Sequence, residues 1–96
     1  MAKDALKEQS SLEEQVYPID YSPALLTAVT VTSVACTHTL PNGSTASDVT
    51  ATVVTPIAYV KVPSGLAVGT HYVSCVATTS NADLSPEVRL VVRVDY

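Results

Sequence analysis

Apolar residues alternate with polar ones along most of this chain of 96 residues, at the two-residue period of a β-strand. The pattern is clearest in residues 88–94, where every even position is Val or Leu and the odd positions are Arg89, Val91 and Arg93. Such a strand buries one face and leaves the other in water. Sixteen valines and twelve threonines agree with it, because β-branched side chains fit a pleated sheet. The sequence therefore predicts an all-β domain.

The alternation changes phase once, within residues 25–40. Leu25, Val29 and Val31 lie at odd positions, whereas Val34, Cys36 and Leu40 lie at even positions. One uniform strand cannot bury both sets on the same face, because successive side chains point to opposite faces. We therefore expect a β-bulge or a strand break near Thr32 and Ser33.

Turn-forming residues divide the chain into short segments. Asn42-Gly43 supplies the positive φ that tight turns need, and further turn signals occur at residues 63–65 and 80–83. Pro18 is typical of an edge strand, because proline cannot donate to a sheet ladder. Residues 16–96 are thus predicted to form an immunoglobulin- or fibronectin-III-like β-sandwich of about seven short strands, and a small barrel stays open as the alternative.

Residues 1–15 differ in composition and are predicted to form a separate N-terminal arm. Six of the charged residues fall within the first fourteen positions, among good helix formers that make only a thin apolar stripe. We expect a helical or extended arm, either a solvated tail or an element that docks on another subunit. Between residues 21 and 82, by contrast, only Asp48 and Lys61 are charged, and so neutral a surface suits contact with neighbouring proteins.

The overall charge disfavours some classes of partner. A net charge of −4 gives no electrostatic reason to expect nucleic acid, which binds clustered Lys and Arg. No apolar run approaches the roughly 18 residues of a membrane span, so no membrane partner is expected. The N-terminal residues lack the apolar core of a secretory signal, so we expect folding in the cytoplasm, where thiols stay reduced.

The cysteines, Cys36 and Cys75, share their predicted strand faces with apolar residues. They are interpreted as core thiols or as a disulfide; catalysis is not expected, because apolar neighbours keep a thiol inert. A zinc site with the two histidines is also not expected. His71 and Cys75 stand four residues apart on one strand, about 13 Å, too far for one metal ion.

No motif of a known catalytic or cofactor site occurs, so neither an enzyme nor a cofactor is expected. The carboxylates of Asp20, Asp48, Asp83 and Asp95 fall in predicted turns or at strand ends and are interpreted as solvated surface groups.

Three segments carry a family resemblance: "YPIDYSPALL", "VTSVACT" and "VPSGLAVGTHYVSCVATTSNADLSPEVRLVVRV". In this order they resemble the small immunoglobulin-like virion proteins of tailed bacteriophages, over about residues 16–96. The shared features are a Tyr- and Asp-containing first segment, a Gly-Thr-x-Tyr segment before a Thr-rich strand, and a final R-x-x-V-x-V strand.

The resemblance implies a non-enzymatic structural role in the head, neck or tail of a virion, in many copies and in contact with other virion proteins. It also implies folding in the host cytoplasm before assembly into the particle. A carbohydrate- or host-surface-binding module is the alternative. The candidate assembly contacts are Leu6, Leu12, Tyr17, Tyr21 and Tyr72.

Overall fold

The computed structural model describes residues 3–22, 25 and 29–95. Its regular elements are strands, and it has no α-helix within this part of the chain. The strands are β1 (Lys3–Ser10), β2 (Gln15–Asp20), β3 (Val31–Thr39), β4 (Thr45–Ala46), β5 (Thr50–Val54), β6 (Ile57–Val62), β7 (Gly69–Thr79) and β8 (Glu87–Asp95).

The strands form two sheets that pack as a sandwich. The five-stranded sheet has the order β1-β8-β7-β3-β4, and the three-stranded sheet has the order β2-β6-β5. Neighbouring strands are antiparallel except β1 and β8, which run parallel. The seven strands β2 to β8 confirm the predicted immunoglobulin-like sandwich. Pro18 lies in β2, which is an edge strand as expected.

The N-terminal arm was expected to be either helical or extended, and residues 3–10 of it are extended. β1 pairs with β8 along its whole length, from Lys3 opposite Val88 to Ser10 opposite Asp95. Gln9 then fastens the arm to the sandwich: it is 4% exposed, and its Oε1 accepts a hydrogen bond of 2.8 Å from the Tyr17 hydroxyl. Residues 3–10 therefore complete the larger sheet rather than extend into solvent.

The predicted change of phase in the apolar alternation corresponds to an irregularity in the register of β3. The pairing of β3 with β7 shifts between Val31 and Ser33. Val31 is buried before the shift, and the even-numbered residues Val34, Cys36 and His38 face the core after it. The bulge thus lets one strand bury both apolar sets, as expected. Residues 26–28 of the same run lie outside the described part.

The first tight turn also forms as its chemistry predicts. Gly43 has φ of 90°, a region that side-chain-bearing residues rarely adopt. The backbone N–H of Ser44 donates to Oδ1 of Asn42 at 2.9 Å, so the Asn side chain holds the turn from within. This turn connects β3 to β4.

The core lies between the sheets and is built from the alternate residues of β6, β7 and β8. Its most buried apolar side chains are Ala58, Val60, Val62, Val73, Cys75, Ala77, Leu90, Val92 and Val94. Burying a Val or Leu side chain fully contributes about 1.5–3 kcal/mol, so these residues supply much of the folding free energy.

Two leucines give a matched test of this core. Leu90 is 1% exposed and Leu12 is 88% exposed. We expect Leu90→Ala to lower the free energy of unfolding by about 2–5 kcal/mol, because it leaves a cavity. Leu12→Ala should change it by no more than about 0.5 kcal/mol. Urea unfolding followed by circular dichroism measures both, and equal effects would contradict the placement of Leu90.

Candidate functional site

The pairing of β3 with β7 gathers the chain's cysteines and histidines on one core-facing strip. Cys36 lies directly opposite Cys75, and His38 lies opposite Val73. His71 is two residues from Val73 on the same face, which makes it a diagonal neighbour of His38. The strip therefore carries two polar groups, a thiol pair and a histidine pair.

The histidines form a hydrogen-bonded chain that we call the histidine relay: Asp48, His38, His71 and the carbonyl of Ala67. The Oδ1 of Asp48 lies 2.6 Å from Nδ1 of His38. The Nε2 of His38 lies 2.8 Å from Nδ1 of His71, and Nε2 of His71 lies 2.7 Å from the carbonyl oxygen of Ala67. Both rings are fully buried, and among the described residues no buried side-chain nitrogen or oxygen lacks a partner.

The chemistry of the two ends fixes how many hydrogens the relay holds. A carbonyl oxygen can only accept, so Nε2 of His71 donates to Ala67. Each of the other two contacts also needs one hydrogen, which makes three in total. Two neutral imidazoles and one carboxylate carry only two, so all three contacts can be hydrogen bonds only when the group holds a third hydrogen.

This arrangement joins parts of the chain and leaves neither imidazole with a free ring nitrogen. Both nitrogens of His38 and of His71 are occupied within the protein. A general base needs a nitrogen within reach of the substrate proton. The relay instead ties β3 and β7 to Asp48, before β5, and to Ala67, before β7.

Asp48 corrects the interpretation of the carboxylates as purely solvated groups. Its side chain is 41% exposed, yet it makes the 2.6 Å contact with the buried His38 ring. Asp20 does lie at the surface, where the backbone N–H and the side chain of Ser22 lower the pKa of its carboxyl by hydrogen bonding.

The thiols of Cys36 and Cys75 are free, and their sulfur atoms are 3.4 Å apart. Cys75 is fully buried, whereas Cys36 is partly exposed. The hydrogen bond from Cys75 lowers the pKa of the Cys36 thiol, and the same bond together with burial raises the pKa of Cys75.

Two of the candidate assembly contacts, Tyr17 and Tyr21, lie in the core. Tyr17 is 8% exposed and Tyr21 is 1% exposed. The Tyr21 hydroxyl donates to the carbonyl of Cys75 at 2.9 Å, and burial raises the pKa of both tyrosines. Neither ring is available to a partner.

The other three candidates lie elsewhere on the molecule. Leu12 is 88% exposed in the connection between β1 and β2, and Tyr72 is 38% exposed on the outer face of β7. Leu6 is paired in register with Val91, and its side chain lies outside the described part of the structure. In register, Leu6 and Tyr72 both lie opposite Val91, whereas Leu12 lies outside the sheet in a connection.

The two most exposed tyrosines among the described residues do not share a surface. Tyr59 points outward from β6 in the smaller sheet, and Tyr72 points outward from β7 in the larger one. They stand on opposite outer faces of the sandwich. A carbohydrate platform built from both rings is therefore not formed by this chain alone.

Within residues 3–22, 25 and 29–95, no group of three or more His, Cys, Asp or Glu side chains is arranged to hold a metal ion. The same residues form no helix that is long and apolar enough to cross a membrane. Comparisons with models of known protein families, with curated proteins and with solved structures gave no match.

Sequence reasoning missed the relay, although one signal for it was present. His38 shares the even positions of β3 with Cys36, and His71 shares the odd positions of β7 with Cys75. The odd or even position of each histidine along its strand therefore places both rings on the faces assigned to the core. Because a buried imidazole needs partners, this placement indicates a polar network.

A double-mutant cycle tests the relay against a matched ion pair. We expect a coupling of about 1.5–3 kcal/mol between His38→Ala and Asp48→Ala, because the contact is charge-assisted and one partner is buried. The control is Lys61 and Glu14, whose charged atoms are 3.3 Å apart with both side chains at least half exposed. That pair should couple by about 0.5 kcal/mol or less. Similar couplings in the two cycles, measured by urea unfolding, would refute the relay.

Proposed function

We propose that this protein is a non-enzymatic structural component of a tailed-phage virion that acts through protein–protein contacts in the head, neck or tail. The proposal rests on one observation, the pair of exposed apolar side chains of Tyr72 and Val76 on the outer face of the five-stranded sheet. The resemblance of residues 16–96 to small virion proteins supplies the type of assembly.

The proposed contact face is centred on β7. Tyr72 and Val76 point outward there, 38% and 37% exposed. In register, Tyr72 lies between Thr39 and Val91, and Val76 lies between Ala35 and Glu87. The face therefore presents a central aromatic and a central aliphatic side chain with small, neutral neighbours on β3.

Two charged groups beside Tyr72 and Val76 make contacts within the molecule. The guanidinium of Arg89 lies over the Tyr72 ring, 4.9 Å from its centroid, and the Ser74 hydroxyl donates to the Glu87 carboxylate. Asp48 and Lys61, the two charges of residues 21–82, contact His38 and Glu14. Interface centres are depleted in free charge and enriched in aromatic residues such as Tyr, which is the composition found here.

The free edge of the larger sheet is less suited to assembly than its face. β1 lies at that edge and contains four charged residues among its eight. Charged residues on an edge strand discourage the addition of another strand. We therefore expect partners to pack on the face of β7 rather than extend the sheet, with the protein in many copies on the particle.

A pair of matched charge variants tests the contact face. Tyr72→Lys with Val76→Lys changes the outer face of the larger sheet. Tyr59→Lys with Val54→Lys makes the same change on the outer face of the smaller sheet, where these residues are 38% and 62% exposed. Each variant replaces the wild-type gene in cells that produce the particles, and mass spectrometry of purified particles counts the copies.

We expect the first variant to reduce the occupancy of the particle about tenfold or more, because loss of an interface anchor costs about 2 kcal/mol. The control variant should keep wild-type occupancy, and urea unfolding should show that both variants are folded. Equal occupancy of the two variants would disprove the contact face. Absence of the wild-type protein from purified particles would disprove the virion role, as would a gene neighbourhood without capsid, portal or tail genes.

A further inference from the structure

We propose that Cys36 and Cys75 form a redox-modification site, in which a small disulfide such as glutathione disulfide converts the thiol pair reversibly into a cross-strand disulfide. This inference does not depend on the virion role. It rests on the register of β3 and β7 and on the different exposure of the two sulfur atoms.

The backbone geometry already suits the bond. Cys36 and Cys75 are direct partners in an antiparallel pair, where Cα atoms are about 4.5–5.5 Å apart. A disulfide needs a Cα separation of about 4.4–6.8 Å, so no strand has to move. The sulfur atoms are 3.4 Å apart and a disulfide is about 2.05 Å long, so they must approach by only about 1.4 Å.

The two thiols are suited to different steps. Cys36 is partly exposed, and the hydrogen bond from Cys75 favours its thiolate by lowering its pKa. The thiolate is the form that attacks a disulfide. Cys75 is fully buried, so an external reagent cannot reach it directly. Cys36 therefore reacts first, and Cys75 is placed to resolve the product.

The chemistry is two successive thiol–disulfide exchanges. The Cys36 thiolate attacks one sulfur of glutathione disulfide, and a glutathione thiolate leaves and takes up a proton. Cys75 then loses its proton and attacks the Cys36 sulfur of the mixed disulfide, which releases the second glutathione. In total, two protein thiols are oxidised to one disulfide and one glutathione disulfide is reduced to two glutathione molecules.

The product would join neighbouring strands of one sheet. Its β7 end is next to the carbonyl of Cys75, which accepts the hydrogen bond of 2.9 Å from Tyr21 in the connection after β2. The new bond would therefore form in the core without crossing from one sheet to the other.

The test treats the folded, reduced protein with glutathione disulfide, stops the reaction with acid, and measures intact mass and peptide maps over time. The wild type should lose two hydrogens in mass, gain no lasting adduct, and return to the starting mass with dithiothreitol. Cys75→Ser should stop at a mixed disulfide on Cys36. Cys36→Ser should react at least about tenfold more slowly, because its remaining thiol is buried.

Three results would overturn the proposal: a lasting glutathione adduct on the wild type, a disulfide between two chains on a non-reducing gel, or no reaction of the wild type at all. Circular dichroism checks that both variants are folded. If either is not, alkylation of the wild type at early times still decides the order of reaction. Modification of Cys75 before or together with Cys36 would contradict the proposal that Cys36 reacts first.

Discussion

The register between β3 and β7 is the constraint on which the rest of this structure depends. It sets Cys36 opposite Cys75 and brings the rings of His38 and His71 to 2.8 Å. Side chains alternate between the faces of a strand, so a slip of one residue would turn Val73 and Cys75 toward solvent. It would also turn His71 outward with them and leave the buried His38 imidazole without this partner, at about 1–3 kcal/mol for an unsatisfied group. The apolar core and the polar relay therefore specify the same register.

The same alternation divides β7 between two tasks. Its inward residues are part of the core, the thiol pair and the relay, where every polar contact is made within the chain. Its outward residues, Tyr72 and Val76, remain partly exposed on the outer face of the larger sheet. Groups that are chemically reactive in isolation are thus enclosed, and the groups offered to other molecules are suited to packing. This division agrees with the proposed role in protein–protein contact.

Local patterns in the sequence predicted much of the fold. The change of phase in residues 25–40 predicted the irregularity in β3, Pro18 predicted an edge strand, and Asn42-Gly43 predicted a turn. Each of these features depends on neighbouring residues only. Contacts between distant segments were not predictable in this way: the burial of Tyr21 depends on its partner in β7, and the role of Asp48 depends on a ring on β3 ten residues earlier. Periodicity gives the face of a residue, but the residue opposite it depends on strand pairing across the whole chain.

The most direct test of this account is the β3–β7 register, measured by cross-strand nuclear Overhauser effects in the isotopically labelled protein. The account predicts backbone contacts that pair residue 36 with 75, 34 with 77 and 38 with 73. It also predicts contacts between the ring protons of His38 and His71. A set of contacts displaced by one residue, such as 36 with 74 or 76, would contradict it, and the relay, the thiol pair and the contact face would then all have to be abandoned.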